Sequence, residues 1–320
     1  MNNVSSGQAG GLMRLAILLL VLAVLPVVAA VFLIHTVTQP PTTSDAQDPG
    51  EFLLAADEVG LAASDGVALS AWFIKGRPGA PPIVLCHDLG GSRSDLLNAA
   101  VILNKAGYPL LLLDFRRHGK SARAQSTLGV GERLDILAAV QYLKGRKGID
   151  TTRLGGWGVG MGAYALALAA LETPEFKALA LDSIGPDIPT EVDRRLREKL
   201  PPALAPVVPA LHFLYNPYFR AHLEMFSVRG RLIGLEGRNL LFIGGSESPE
   251  RFDEERLLYE ALPEGPDGGK NLLELRRSGM GGLYADDRRK YDETILGFFA
   301  TFLETGPAQP AGGAIEVIER

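Results

Sequence analysis

From residue 58 onward, short apolar runs alternate with stretches whose apolar residues recur every three or four positions. The first pattern predicts buried strands, the second helices packed on a sheet. Residues 58–63 and 67–74 flank Ser64-Asp65-Gly66, a hairpin signal. Further strands are expected at 82–86, 108–114, 153–157, 177–181, 240–243 and 272–275. Helices are expected at 95–106, 132–143, 163–171 and 291–303. That alternation predicts an α/β fold with a mostly parallel eight-stranded sheet flanked by helices.

Two segments break the rhythm. Residues 15–34 carry no charge and are long enough to cross a bilayer, which takes about 20 apolar residues. Arg14 is the only charge before residue 35, and the distal flank carries Asp45, Asp48 and Glu51. The positive-inside rule then sets the N-terminus in the cytoplasm and the main domain outside it. The competing expectation is a signal peptide cleaved near Val28-Ala29-Ala30, which would release a secreted domain. The expected organisation is a short cytoplasmic N-terminus (1–14), a transmembrane helix (15–34), a linker (35–50), a main domain (51–304) and a flexible tail (305–320).

The second break is the proline-rich stretch 186–238. Thr190 is placed to cap a short helix, EVDRRLREKL, and residues 203–219 are apolar and aromatic. This reads as a cap inserted over the carboxyl edge of the sheet, where ligands bind in open α/β folds. It either covers apolar surface or presents a lid that contacts a small apolar ligand, a protein partner or the membrane.

Composition narrows the chemistry. The net charge of −5 argues against nucleic acid as a partner. Cys86 is the single cysteine, so neither an internal disulfide nor a cysteine-rich metal site is available. No metal spacing or phosphate-binding glycine loop is present, and no cofactor is expected. The chain has only five histidines: His35, His87, His118, His212 and His222.

Three motifs carry a resemblance. His87-Asp88-Leu89-Gly90-Gly91-Ser92 follows the third strand. Asp114-Phe115-Arg116-Arg117-His118-Gly119-Lys120-Ser121 follows the fourth. Gly158-Val159-Gly160-Met161-Gly162 lies between the fifth strand and a helix. Together they resemble the α/β-hydrolase superfamily, nearest the capped serine aminopeptidase-like and prolyl-oligopeptidase-like types, over residues 58–303. The resemblance implies a nucleophile elbow at Gly160, oxyanion donors from the backbone of Leu89 and Met161, and a pocket loop containing His87, Asp88 and Gly90. It implies an acid where Ser248 stands and a histidine base where Met280 stands.

None of those three side chains can serve the triad chemistry. The sequence therefore leads to the expectation of a membrane-anchored hydrolase fold without hydrolysis, acting as a ligand- or protein-binding module. The alternative is an active serine hydrolase with relocated groups, for which Ser183, His212 and His222 are the candidates. Cys86 is expected to be a buried small apolar residue.

Overall fold

The computed structural model describes residues 5–41, 47–185, 187–211, 228–262, 264, 269–279 and 282–304. Two compact units emerge: Met1–Pro40 with Pro189–Glu224, and Pro41–Ile188 with Met225–Arg320.

The first unit contains the N-terminal helix α1 (Ser5–Thr38), which includes Pro26. Its stretch Gly11–Thr38 is long and apolar enough to cross a membrane by length and composition. The helix runs past the uncharged segment at both ends. At the distal end, Thr36 and Thr38 donate their hydroxyls to the carbonyls of Leu33 (2.7 Å) and Ile34 (2.9 Å). Those bonds let polar residues continue the helix. The segment Pro189–Glu224 includes most of α5 (Ile188–Lys199). Glu191 there pairs with Arg194 and Arg195, one turn on. Because α5 begins at Ile188, Thr190 lies inside its first turn and does not cap it. Pro189 explains the earlier start, since its fixed φ suits a helix's first turn.

The second unit holds the sheet. Its strands are β1 (Ala56–Ala62), β2 (Ala68–Ile74), β3 (Ile83–Cys86), β4 (Leu110–Asp114), β5 (Leu154–Val159), β6 (Phe176–Asp182), β7 (Asn239–Gly245) and β8 (Lys270–Leu275). They lie in the order β1-β2-β4-β3-β5-β6-β7-β8. β2 runs antiparallel to β1 and β4, and every other pairing is parallel. The expected mostly parallel sheet of eight strands is present.

Helices cover both faces: α2 (Leu97–Lys105), α3 (Glu132–Lys144), α4 (Met161–Glu172), α6 (Val228–Leu232), α7 (Pro249–Ala261) and α8 (Ala285–Leu303). β5 shows how the layers are assigned. The space beside Gly155 is filled by Phe299 and Leu303 of α8, and that beside Gly156 by Leu166 of α4. Adjacent strand residues face opposite sides, so α8 and α4 lie on opposite faces. α2 and α8 bury Leu97, Leu103, Tyr291, Ile295, Phe298 and Phe299 against one face. Each large apolar side chain buried this way contributes about 1.5–3 kcal/mol of transfer free energy.

Two helices depart from expectation. α7 was not foreseen, because PERFDEERLLYEA is mostly charged and buries only Glu255 and Leu258. α8 starts at Ala285, ahead of the apolar pattern that begins at Tyr291. Asp286 and Asp287 occupy its first turn, where the helix dipole favours anions.

Candidate functional site

β5 ends at Val159 and α4 begins at Met161, so one residue, Gly160, makes the turn. Its angles are φ 53° and ψ −115°, a region that side-chain-bearing residues avoid. Glycine adopts it at little steric cost. The Gly160 N–H donates to the Asp182 carbonyl at the end of β6 (2.8 Å). Gly162 lets α4 press against β3, since a β-carbon there would sit 2.5 Å from the carbonyl oxygens of Cys86 and His87.

The space above the turn is occupied. A β-carbon on Gly160 would collide with the Asp88 carboxylate, 2.5 Å from its Cγ. Asp88 Oδ1 accepts the Met161 N–H at 2.8 Å. A carboxylate from the loop after β3 thus holds both the volume of an elbow side chain and one of the two expected oxyanion donors. The other, the Leu89 N–H, has no partner among the described residues.

The two nearby histidines are committed to the backbone. His87 Nε2 accepts the Phe115 N–H (3.2 Å), so Nδ1 carries the proton and donates to the Asp88 carbonyl (2.7 Å). His118 Nε2 accepts the Gly90 N–H (3.0 Å), and its Nδ1–H donates to the Arg116 carbonyl (2.8 Å). The His118 ring is neutral in this arrangement. Burial, then the adjacent His87, pushes the His118 pKa down to about 4. Neither ring has a nitrogen left to take a nucleophile's proton.

The loop after β4 is a scaffold for these contacts. Asp114 accepts the backbone N–H groups of Arg93 (2.8 Å) and Lys120 (3.0 Å) and pairs with Arg93 Nε (3.2 Å). The Arg93 guanidinium is fully buried and stacks on Trp72, 4.0 Å from the ring centre. Arg116 bridges Asp135 (2.6 Å) and Asp65 (2.7 Å). Cys86 is fully buried, and burial pushes its thiol up, away from the reactive thiolate.

The carboxyl ends of β6, β7 and β8 look different. Ser183, Gly245, Glu247, Ser248, Arg251, Arg276, Arg277 and Ser278 line a cavity of about 410 Å³. Ser183 holds φ 57°, strained for a side-chain-bearing residue. Its hydroxyl donates to Asp182 Oδ1 (2.7 Å) and shares a 2.5 Å hydrogen bond with Ser278 Oγ. The Asp182 carboxyl is fully buried and also accepts the Gly279 N–H (2.9 Å) and the Tyr291 hydroxyl (2.6 Å). Burial raises its pKa to about 6 against these lowering bonds.

Comparison with solved structures decides the architecture. The Pyrococcus furiosus esterase Pf2001 superposes with a TM-score of 0.61 at 20% identity, covering 83% of this chain and 98% of its own. A dienelactone hydrolase from Anabaena variabilis gives 0.54 at 15%, covering 78% and 99%. The chain has the α/β-hydrolase fold. One sequence relative carries the same fold in its name. The Arabidopsis thaliana alpha/beta hydrolase domain-containing protein WAV2 is 30% identical over 139 residues, 42% of this chain and 44% of that protein. The uncharacterized protein Rv2307c of Mycobacterium tuberculosis is 25% identical over 228 residues, 70% of this chain and 74% of that protein. No family model matches the chain.

Within the α/β-hydrolase fold, Gly160 stands at the elbow and Ser248 in the turn after β7, immediately before α7. Met280, His212 and His222 lie outside the described residues. Ser183 reaches Asp182 and Ser278, and no described histidine bonds to it. Sequence reasoning singled out Asp88 but not its reach across to Met161. It missed Arg93, Arg251 and the pair Arg276-Arg277. The adjacent arginines directly after the last strand were the available signal. The part of Asp182 in holding the loop after β8 has none.

Proposed function

We propose that this α/β-hydrolase-fold protein does not hydrolyse and serves as a membrane-anchored binding module for a ligand or a protein. One observation carries the reading: the Asp88 carboxylate occupies the elbow space above a side-chain-less Gly160 and accepts the Met161 N–H. An oxyanion developing there would meet a carboxylate instead of a donor. Replacing a triad typically costs about a millionfold in kcat. The anchor is α1, with the main domain extracytoplasmic, supported by Arg14 on one flank and acidic residues on the other. Secretion after cleavage is the alternative for the same segment.

A specific observation favours a second reading. Ser183 is strained and hydrogen-bonded to a buried carboxyl with a pKa of about 6, which gives a relocated nucleophile a partner. Full-length protein in detergent separates the two. It is treated with a fluorophosphonate probe and with short- and long-chain acyl esters. No labelling and no turnover is expected. Labelling mapped to Ser183, with turnover lost in Ser183→Ala, would establish the second reading instead.

A further inference from the structure

We infer that the cavity at the ends of β6, β7 and β8 is a binding site for a phosphate-bearing ligand. The inference rests on the binding-module reading and names the chemical group that the module takes.

The cavity sits at the carboxyl ends of parallel strands, where loops converge and ligands bind in open α/β sheets. Three arginines line it, with one carboxylate, Glu247. The serines Ser183, Ser248 and Ser278 add hydroxyls. Arginine presents five N–H donors in a fixed fork suited to phosphate oxygens.

The existing contacts leave donors over. Arg277 gives Nε to Glu247 (2.7 Å) and also interacts with the Tyr284 side chain, which leaves further N–H groups of its five. Arg276 reaches Asp287 through Nε (3.3 Å) and Asp286 through one Nη (3.7 Å), and neither aspartate lines the cavity. Arg251 donates one Nη to the Ser183 carbonyl and holds Nε 3.5 Å from Glu255.

The forks are also held in place. Arg276 and Arg277 both stack on Tyr284, 4.2 and 4.8 Å from its ring centre. Tyr284 in turn donates its hydroxyl to Glu247 (2.8 Å). A stacked guanidinium loses little freedom when it binds an anion. A tetrahedral oxyanion with three or more acceptor atoms uses such a set of donors more fully than a planar carboxylate does.

The geometry also explains what replaced the missing chemistry. Ser248 stands where the hydrolase acid belongs, and Ser278 precedes the position of its base by two residues. An acid at Ser248 would place a second carboxylate among the lining residues, with Glu247.

The test uses the full chain in detergent micelles. Inorganic phosphate and a soluble phosphate monoester are titrated in by calorimetry, and phosphatidic acid is added to the micelles in a parallel arm. Saturable binding of phosphate is expected, weakened about tenfold or more in the double variant Arg276→Gln, Arg277→Gln. Both side chains are half exposed, so the variant is expected to fold. Arg256→Gln, on the exposed flank of α7, should bind as the parent does. Preference for the monoester over phosphatidic acid identifies a soluble ligand, and the reverse identifies a lipid headgroup. No saturable binding in either arm, or equal weakening by Arg256→Gln, overturns the inference. Esterase turnover alongside phosphate binding would sink the non-hydrolytic reading and leave the site standing. Absence of both would do the reverse.

Discussion

The two halves of the sheet's carboxyl edge have opposite characters. On the β3–β4–β5 side the candidate polar side chains are tied down: Asp88 to Met161, His87 to Phe115, His118 to Gly90, and Asp114 to Arg93 and Lys120. On the β6–β7–β8 side, arginines and serines surround open volume. The same fold thus carries a closed half and an open half. A hydrolase needs both, because the nucleophile comes from one side and the acid–base pair from the other. On the proposed non-hydrolytic reading, closing the first removes a reason to keep acid and base on the second, which is then free to bind.

The largest effect is expected on the closed half. Gly160→Ser forces a side chain into φ 53° and into the Asp88 carboxylate, and should cost about 2–5 kcal/mol in strain and overpacking. Adding Asp88→Gly should recover the overpacking share. Urea melts of the two single variants and the double variant measure it. Equal destabilisation with and without Asp88 would break the claim that this carboxylate fills the elbow. The same reasoning bears on restoring a triad. Gly160→Ser, Ser248→Asp and Met280→His together should give no esterase activity, whereas the same set with Asp88→Gly should give some.

A smaller effect separates the halves by acidity. His118 is held below its usual pKa, at about 4, so its neutral form favours folding. That stability is present above about pH 6.5 and lost as pH falls toward 4. Glu255 and Asp182 are raised, to about 8 and about 6, so they act with the opposite sign. The folded state binds their protons more tightly, and the stability they contribute at low pH is lost as pH rises through those values. Besides burial, Arg251 lowers Glu255 while Asp182 and Glu254 raise it. Glu255→Gln should therefore raise the melting temperature at pH 8 more than at pH 5. An equal shift at both would assign Glu255 no part in the pH response. NMR of the imidazoles should show His118 neutral from pH 8 down to 5, and a midpoint near 6.5 would contradict its burial between backbone groups.

The smallest stability effect is expected on the open half. Arg276→Gln with Arg277→Gln should leave the melting temperature within a degree or two of the parent, as exposed ion pairs contribute about 0–1 kcal/mol. A large drop would make these arginines structural.

The sequence made the sheet legible because buried strands in this fold are short apolar runs. Those of β3, β4 and β6 stand out without any knowledge of their partners. It made α7 illegible, since a helix that buries only two residues leaves no apolar stripe. The glycine at the elbow could be read directly, because the absence of a side chain is a local property. Its occupation by Asp88 could not, because the two residues meet only when β3 and β5 pair. For the same reason the arginine cavity was invisible: its lining comes from the ends of three strands and the start of a helix.

The central claim, that this fold has no working nucleophile, is tested most directly by fluorophosphonate labelling of the full chain followed by peptide mapping. The account predicts no serine modified under conditions that label an active serine hydrolase to completion. Stoichiometric modification of one serine, Ser183 above all, abolished in its alanine variant, would contradict it.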